Sequence, residues 1–584
     1  MLSAYDIPSY SGATLAEEKT WHITTPDGED RIFRKNIFEA FPDRFANVLA
    51  DRYVKTYEDS GLRTANLELL QVKEKVISLP IPLTADDDDI ARVAEQRADS
   101  CKRLRKCSRL DDIHQSLVER VGYYNIKPPR LSQEISINGA TNRMCDRVWW
   151  RRSLRKVFSK HYESVASSLG QVQKRKGLYV SDEAVRRRLQ QIRRNRNLLE
   201  SMVAINELGD QYTLAQLQDL SVSNPKIRRG ELMVRIAGFE LLAKKKGYQG
   251  IFLTLTCPSR MHAYSSIKSS TNPNYDETLP DDAQKYLVNL WARIRAKFDR
   301  EGIKPVGIRV AEPHHDGTPH WHLLLFIDRD HTKKLIEIMR QYALLDSPNE
   351  SGARKHRLKV KYINPKKGNA TGYIAKYIAK NIDGFGVNIS EHGQDASSAA
   401  VRANTWASIW GIRQFQQIGG PPVSVWREMR RAPELEGFME EVRKACSSGD
   451  WAKFVGLMGG IHTRRKDHPI KLYKKYIAEP GTYGDPKGDR TIGVSFQELI
   501  IITRIHSWTI QKLQILPDTD LDTEQHLRKD YLYMGMQAEV GVAGAAPPGR
   551  SPGGGAPTTP LTAGVTMSRN LYEGRRNGPL EFCQ

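Results

Sequence analysis

Two histidines separated by one residue are candidate metal ligands. His320 and His322 flank Trp321 in an apolar run that continues to Ile327 and has the composition of a buried β-strand. Because side chains alternate along a strand, both imidazoles point to the same face. Two imidazoles on one rigid face make half of a site for a divalent metal ion, although paired histidines in a strand also commonly serve the core or the surface.

The turn before these histidines decides which residue could be the third ligand. Asp316-Gly317 between two apolar runs predicts a hairpin. A three-residue loop from His315 to Gly317 would place Glu312 opposite His320, on the face that carries both histidines. A two-residue loop would instead turn Glu312 to the other face. We therefore favour Glu312 as the third ligand, with His315 as the alternative.

A helix is predicted over residues 371–382, and it carries two tyrosines and two lysines at the same interval. Tyr373 and Tyr377 are four residues apart and so lie on one face, with Lys376 and Lys380 alongside. A phenol is only about one part in a thousand ionised at neutral pH, which makes it a poor nucleophile by itself. A metal ion that polarises a phosphate, or a lysine that stabilises the phenolate, would overcome this by charge. Aromatic pairs of this spacing usually serve packing, but beside a metal site they suit attack on a phosphodiester.

Strand and helix patterns alternate around these candidates. Strands are predicted over 250–256, 306–312 and 358–363, and helices over 226–246, 280–301 and 333–345. Asn381 and Gly384 are plausible ends of the tyrosine helix. The order of elements predicts an α+β domain with a mainly antiparallel central sheet backed by helices, which would hold ligands and nucleophiles on rigid elements.

The chain of 584 residues is too long for a single core, and it is strongly basic. Lys plus Arg number 89 against 68 Asp plus Glu, which gives a net charge of +21. This excess favours a polyanionic partner, with nucleic acid as the first expectation, over a merely basic soluble protein. The arginine-rich stretches 147–156 and 186–196 are candidate DNA contacts, because guanidinium groups suit phosphates and the aromatics within the first stretch could stack on exposed bases.

Four regions are predicted along the chain. They are a mainly helical, basic N-terminal region over 1–223, the α+β domain over 224–431, a helical C-terminal region over 432–540, and a flexible Gly/Pro-rich tail over 541–584. The helical pattern of the third region runs over about 424–478, which begins shortly before the region itself, and over 496–533. The six cysteines include no C-x-x-C pair, and we find neither a signal peptide nor an apolar run of membrane-spanning length. We therefore expect a cytoplasmic protein without a membrane partner.

Several of these motifs resemble those of a known superfamily. His320-Trp-His322 resembles the His-hydrophobic-His motif of HUH endonucleases, and Tyr373-Ile-Ala-Lys-Tyr377 resembles their tyrosine motif in its two-tyrosine form. The strand that begins at Gly250 resembles their first motif. More narrowly, the sequence is similar to the replication gene A protein family of tailed bacteriophages, in the segments Glu312–Phe326, Tyr373–Asn381 and Gly419–Glu428. The resemblance is specific from about residue 224 to residue 431.

This resemblance implies a fold and an activity. The implied fold is α+β, an HUH-type nuclease domain over 224–431 with a central antiparallel sheet, flanked by mainly helical N- and C-terminal regions. The implied activity is metal-dependent nicking of one DNA strand at a replication origin, which leaves a 5′-phosphotyrosine and a free 3′-OH for rolling-circle replication, followed by rejoining. The implied site consists of the nucleophiles Tyr373 and Tyr377, the supporting Lys376 and Lys380, and Mg²⁺ or Mn²⁺ on His320, His322 and Glu312.

Alternative functions remain open at this point. An HUH transposase or relaxase would use the same chemistry on another DNA, a binding-only initiator would not cleave, and a metal-dependent hydrolase would use water as its nucleophile. The sequence contains no G-x-x-x-x-G-K-[ST] loop, so we expect unwinding to need a separate host helicase, and synthesis a host polymerase.

Overall fold

The computed structural model describes most of the chain between residues 13 and 513. The described residues are 13–77, 79–106, 110–264, 270–364, 366, 368–385 and 396–513. Those up to 193 and from 222 to 504 form one compact unit, and those from 194 to 221 and from 505 to 513 form another. The predicted tail over 541–584 and the predicted helix beyond 513 lie outside the described residues. The predicted boundaries at 223, 431 and 540 stay predictions.

The described residues form a mixed α+β protein that is mostly helical. The first part contains α1 (Leu15–Thr20), α2 (Glu29–Phe38), α3 (Asp43–Ile77), α4 (Asp87–Arg105), α5 (Leu110–Tyr123), α6 (Ile137–Met144), α7 (Arg147–Ser168), α8 (Asp182–Glu200), β1 (Met202–Asn206), β2 (Gln211–Thr213) and α9 (Leu214–Asp219). The middle part contains α10 (Pro225–Lys245), β3 (Gln249–Thr256), α11 (Pro280–Arg300), β4 (Val306–Pro313), β5 (Pro319–Ile327), α12 (Arg329–Ala343), α13 (Ala353–His356), β6 (Leu358–Tyr362), α14 (Ala370–Ile382), α15 (Ala396–Trp410) and β7 (Phe415–Ile418). The last part contains α16 (Val423–Met429), α17 (Gly437–Ser447), α18 (Trp451–Leu457), β8 (Ile470–Pro480), β9 (Pro486–Phe496), β10 (Leu499–Ile502) and β11 (Trp508–Lys512).

The middle part is built on a five-stranded sheet in which every pairing is antiparallel, as predicted. Its strand order is β6-β3-β5-β4-β7, and every residue of the central strands β4 and β5 is buried. Along β5, Leu323 and Leu325 pack with α11 and α12, whereas Leu324 and Phe326 pack with α10 and α14. Helices cover both faces of the sheet, and for this reason apolar residues follow one another along β5 instead of alternating with polar ones.

The tyrosine helix α14 begins at a doubly capped N-terminus. The Asn369 side chain accepts a hydrogen bond from the Gly372 amide at 2.7 Å. The buried Glu240 carboxylate of α10 accepts from the amides of Ala370 at 3.0 Å and Thr371 at 2.9 Å. These acceptors satisfy amides that have no partner inside the helix, and the negative charge is favourable at this end of the helix dipole. Helix α14 is therefore fixed to α10 where it starts.

The other end of α14 corrects one detail of the prediction. Gly384, with φ +73°, ends the helix as expected, and its amide donates to the Ala379 carbonyl at 2.7 Å. Asn381 is instead a buried residue inside the helix. Ile374 and Ile378, one turn apart, are fully buried in the core beneath the sheet. The helix thus presents its isoleucine face to the core and its tyrosine face beside the strands.

The N-terminal helices have their own hydrophobic core, which changes the interpretation of one basic stretch. Trp150 of α7 is fully buried and its indole N–H donates to the Met144 carbonyl at 2.7 Å, so this ring is not available to stack on a base. Arg155 on the same helix forms an ion pair with Asp87 of α4 at 2.5 Å.

No helix within the described part of the chain combines the length and the apolar character needed to span a membrane.

The smaller unit contains a three-stranded antiparallel sheet in the order β11-β1-β2. The arginine-rich stretch 186–196 lies on α8, and its last residue, Arg196, is paired with Asp219 of α9 at 2.8 Å.

The prediction of a mainly helical C-terminal region is wrong over residues 470–512. Helices α16, α17 and α18 are present as expected, but β8, β9 and β10 then form an antiparallel sheet and β11 joins the smaller unit. Ile470 and Leu472 contact the core while Lys471 is exposed, which is the two-residue period of a strand. The lysines that follow interrupt the apolar pattern on both faces, so periodicity alone could not distinguish strand from helix there.

Replacement of Glu240 by Gln should test the cap on α14. We expect the free energy of unfolding to fall by about 1–2 kcal/mol at neutral pH, because charged acceptors bind amides more strongly than neutral ones. Burial on its own would raise the pKa of Glu240, but the hydrogen bonds from Thr371 and Ala370 hold it below its ordinary value. The charged side chain therefore stabilises the fold fully above the unfolded pKa of about 4.3, and this contribution is lost as the pH falls through the lower folded pKa.

Urea denaturation at neutral and acidic pH would measure this difference. The deficit of Glu240→Gln should shrink at acidic pH, and the exposed Glu58→Gln on α3 should show no deficit at either pH. A deficit that is equal at both pH values would contradict the capping role.

Candidate active site

The hairpin between β4 and β5 has the register that brings Glu312 to the histidines. Glu312 pairs with His320, and the amide of His314 donates to the Thr318 carbonyl at 2.8 Å, which leaves a loop of three residues. Gly317 at the end of this loop has φ +84°, a backbone conformation that favours glycine. The predicted three-residue loop is therefore confirmed, and the two-residue alternative is wrong.

Glu312, His320 and His322 meet in a buried cluster beneath α14. One potential ligand atom from each residue lies within 4.8 Å of the others. The two histidine Nε2 atoms are 3.0 Å apart, and His322 Nε2 is 3.6 Å from Glu312 Oε2. Among the described residues this is the group of three that could hold a metal ion, and His315, in the loop, is not part of it. The three donor atoms converge on one point, as a metal site requires.

Neighbouring side chains fix the orientation of both imidazoles. Thr254 of β3, opposite His322 in the sheet, contacts His322 Nδ1 through its hydroxyl at 3.1 Å, so that Nε2 is directed to the cluster. The ring of His314 lies 4.1 Å from that of His320. Burial, with His322 and Lys380 nearby, holds the pKa of His320 well below its usual value. The neutral ring keeps a lone pair for a ligand bond.

The Glu312 carboxylate joins the sheet to the tyrosine helix. It lies 3.4 Å from Lys380 Nζ and accepts a hydrogen bond from Asn381, both on α14. Only 1% of Glu312 is exposed, and burial alone would raise its pKa, but Lys380, His322 and Asn381 lower it below the ordinary value. The carboxylate therefore stays charged. Asn381 was missed as a site residue because its position in the sequence resembles that of a helix terminator.

Both tyrosines lie half-buried next to this cluster. The ring of Tyr377 is centred 4.3 Å from that of His322, and the ring of Tyr373 is 6.2 Å from that of Tyr377. Phe252 of β3 contacts both, with ring centres at 4.7 Å for Tyr373 and 5.1 Å for Tyr377. The structure therefore brings the tyrosines to the same side of the sheet as the histidines, with Tyr377 nearer to them.

The two lysines predicted with the tyrosines occupy different surroundings. Lys380 contacts Glu312, whereas the Lys376 ammonium lies 4.8 Å from the ring centre of Tyr377 and 5.7 Å from that of Tyr373. A further lysine, Lys361 of β6, lies 4.4 Å from the Tyr373 ring. It was missed because it lies on β6 rather than on the tyrosine helix, and the sequence pattern does not show which side of this strand meets that helix. Each phenol thus has an ammonium group close to its ring.

The chain is similar in sequence to replication proteins of bacteriophages and of prophage-like regions. A replication gene A protein of Escherichia phage 186 is 40% identical over 412 residues, which cover 66% of this chain and 59% of that protein. A replication gene A protein of Escherichia phage P2 is 34% identical over 394 residues, which cover 64% of this chain and 51% of that protein. A probable replication endonuclease from a prophage-like region of Salmonella paratyphi A is 34% identical over 391 residues, 64% of this chain and 47% of that protein.

The chain thus spans about half to three fifths of the length of these curated relatives. No solved structure matches it. Residues 88–385 match the family model described as bacteriophage replication gene A protein (GPA), and this segment contains the ligand cluster and both tyrosines. It covers about half of the chain, and so the chain belongs to the bacteriophage replication gene A protein (GPA) family.

Proposed function

We propose that this protein is a replication endonuclease that nicks one strand of phage DNA at its origin by tyrosine transesterification. The observation that carries the proposal is the position of Tyr377, whose ring is 4.3 Å from that of His322 at the edge of the buried cluster. A nucleophile next to a candidate metal site is the arrangement needed to cleave a phosphodiester. The name of one relative, a probable replication endonuclease, supports the endonuclease part of this proposal.

The residues Glu312, His320 and His322 would hold a divalent cation. The set fits such an ion, because two buried imidazoles, of which that of His320 has a pKa well below its usual value, converge with one charged carboxylate. We propose Mg²⁺ or Mn²⁺, which when bound would polarise the scissile phosphate and neutralise charge that develops on it. The HUH-type assignment of this domain rests on the same residues and on the resemblance of its motifs.

The phenols would act as nucleophiles with the lysines in support. Lys376, close to both rings, and Lys361, close to Tyr373, would stabilise the phenolate that attacks phosphorus. The phenol gives up its proton to water, a bond from the tyrosine oxygen to phosphorus forms as the bond from phosphorus to O3′ breaks, and O3′ takes up a proton from water. The products are a 5′-phosphotyrosine and a free 3′-OH. Lys380 would position Glu312 and add positive charge beside the phosphate.

Two tyrosines would allow two linked cleavages. The free 3′-OH can prime synthesis, and after one round the second tyrosine could cut the regenerated origin. The new 3′-OH would then attack the first phosphotyrosine and close a circle. Rolling-circle replication of this kind would need a separate helicase and polymerase, which we propose to be supplied by the host, in whose cytoplasm the protein would act.

Tyrosine substitution should abolish the covalent adduct. We expect the wild type to attach to the downstream fragment of a single-stranded origin oligonucleotide when Mn²⁺ is present. The oligonucleotide is labelled at its 3′ end, so that the attached fragment carries the label. Tyr373→Phe and Tyr377→Phe should each reduce the adduct by about half or more, and the double variant should form none, because phenylalanine has no nucleophilic oxygen. Denaturing gels that detect label on the protein would measure this.

Tyr362→Phe is the matched control, because Tyr362 is 54% exposed on β6 and alternates in face with its neighbour Lys361, which lies beside Tyr373. Its adduct should equal that of the wild type. Cleaved DNA without adduct would indicate a hydrolase that uses water, and intact DNA on all candidate origins would indicate an initiator that binds without cleaving. An adduct from the double variant would exclude both tyrosines as nucleophiles.

Metal binding should depend on Glu312 and not on His315. We expect Glu312→Gln to weaken Mn²⁺ binding by more than about 10-fold, because one charged ligand is replaced by a neutral amide. His315→Ala should leave the affinity unchanged. Isothermal titration calorimetry would measure both, with thermal unfolding as a check that each variant is folded. The assignment of the third ligand fails if His315→Ala causes the larger loss.

A further inference from the structure

Strands β8 and β9 form a long ribbon, defined here as residues 470–496, which β10 joins at its base along residues 493–496 and which has two strands beyond that point. Its strands β8 and β9 contain 11 residues each, so at ~3.3 Å per residue the ribbon extends on the order of 30 Å. Its base packs through Ile470 and Val494 into the core that also contains Ile374 and Ile378 of the tyrosine helix. Anything bound on the ribbon is thereby connected to the body that carries the tyrosines.

The tip of the ribbon is locked onto helix α6. Asp485 is 6% exposed, accepts hydrogen bonds from the amide of Ser136 at 3.0 Å and from its hydroxyl at 2.6 Å, and pairs with Arg143 at 2.5 Å. Gly139 makes room for this carboxylate, since a Cβ there would lie 1.9 Å from Asp485 Oδ2. An isolated two-stranded ribbon is only marginally stable, so attachment at both ends gives it a fixed shape.

One face of the ribbon carries a row of cations around an aromatic ring. Ile470 and Leu472 turn to the core, so the alternate residues of β8, Lys471, Tyr473 and Lys475, lie on the outer face. Both lysines are exposed and Tyr473 is half-buried. Cations interleaved with an aromatic ring are typical of surfaces that bind single-stranded nucleic acid.

Two cations face each other across the strands of this ribbon. Lys475 is the direct cross-strand partner of Arg490, and both are exposed. Like charges in directly opposed positions destabilise an antiparallel pair, so this placement lowers the stability of the ribbon unless an anion lies between them. A phosphate group is an anion that both a guanidinium and an ammonium bind well.

The carboxylates on the ribbon do not compensate this pair. Glu479 is 2.9 Å from Lys487, Asp489 is 3.9 Å from Lys474, and Asp485 is paired with Arg143. All three acidic groups therefore already face other cations, and the positive charge of the outer face stays in excess.

We propose that the outer face of the ribbon is a binding surface for single-stranded DNA, in which Lys475 and Arg490 hold a backbone phosphate and Tyr473 stacks on a base. The paired bases of a duplex do not present their faces to a side chain in this way, which favours a single strand. The surface would hold the strand while the tyrosines act on it. This inference rests on the proposed function for the identity of the ligand, but it can be tested without cleavage.

The test measures binding of a fluorescein-labelled oligothymidylate by anisotropy over a range of KCl concentrations. The protein carries Tyr373→Phe and Tyr377→Phe, so that no covalent link forms. Adding Lys475→Gln and Arg490→Gln should weaken binding roughly 10-fold and reduce the slope of log affinity against log salt by about 0.7, because the pair holds one phosphate and each phosphate contact on a single strand contributes about 0.7. The thermal unfolding midpoint should stay equal or rise, since a repulsive pair is removed.

The matched control removes the same two charge types from another exposed surface, Lys55→Gln with Arg63→Gln on α3. Its affinity and salt slope should equal those of the parent protein. Tyr473→Leu should weaken binding by roughly 5-fold without changing the salt slope, and Tyr473→Phe should restore the affinity, because stacking needs a ring rather than a hydroxyl.

Two results would overturn the proposal. One is that the ribbon charge variant binds the oligothymidylate as tightly as the control variant does. The other is that the ribbon charge variant loses as much affinity for a duplex of equal length as it loses for the single strand. Absence of a covalent adduct in the protein with intact tyrosines would contradict the proposed nuclease activity, yet it would leave this binding result unaffected, so the two failures are distinguishable.

Discussion

The arrangement of the site depends on one buried negative charge. Glu312 lies near the hairpin end of β4 with 1% of its surface exposed, and a buried carboxylate is tolerated only when its charge is compensated. The compensation comes from a different element, because Lys380 and Asn381 approach from α14. The interaction that keeps Glu312 charged is therefore also the one that holds the tyrosine helix against the histidine strand.

A second carboxylate fixes the other end of the same helix. Glu240 accepts the amides at the start of α14, and Glu312 contacts its last turn, so two acidic groups from different elements determine where the tyrosines lie. A nucleophile must be held within a fraction of an ångström to be effective, and attachment at both ends supplies that restraint. The core contacts of Ile374 and Ile378 then set the rotation of the helix.

The sequence allowed a good part of this site to be predicted, and the reason is that the informative signals are local. Strand alternation predicted that His320 and His322 share a face, and a turn glycine set the register of Glu312, as the sheet pairing confirms. Thr254 was missed because its contact arises from pairing between strands far apart in the sequence, and Lys361 was missed because it lies on a different element from the tyrosines. The strands after residue 470 were missed because exposed lysines on both faces remove the apolar alternation.

The register of the hairpin is also supported from outside the sheet. The carbonyl of His315 accepts a hydrogen bond from the amide of Tyr179 at 3.3 Å, and the buried indole of Trp406 donates to the carbonyl of Gly317 at 2.7 Å. Tyr179 itself has φ +70°, a conformation that is rare for a bulky residue and persists only when its surroundings enforce it. Its segment follows α7, so residues before 224 help to fix the loop length on which the position of Glu312 depends.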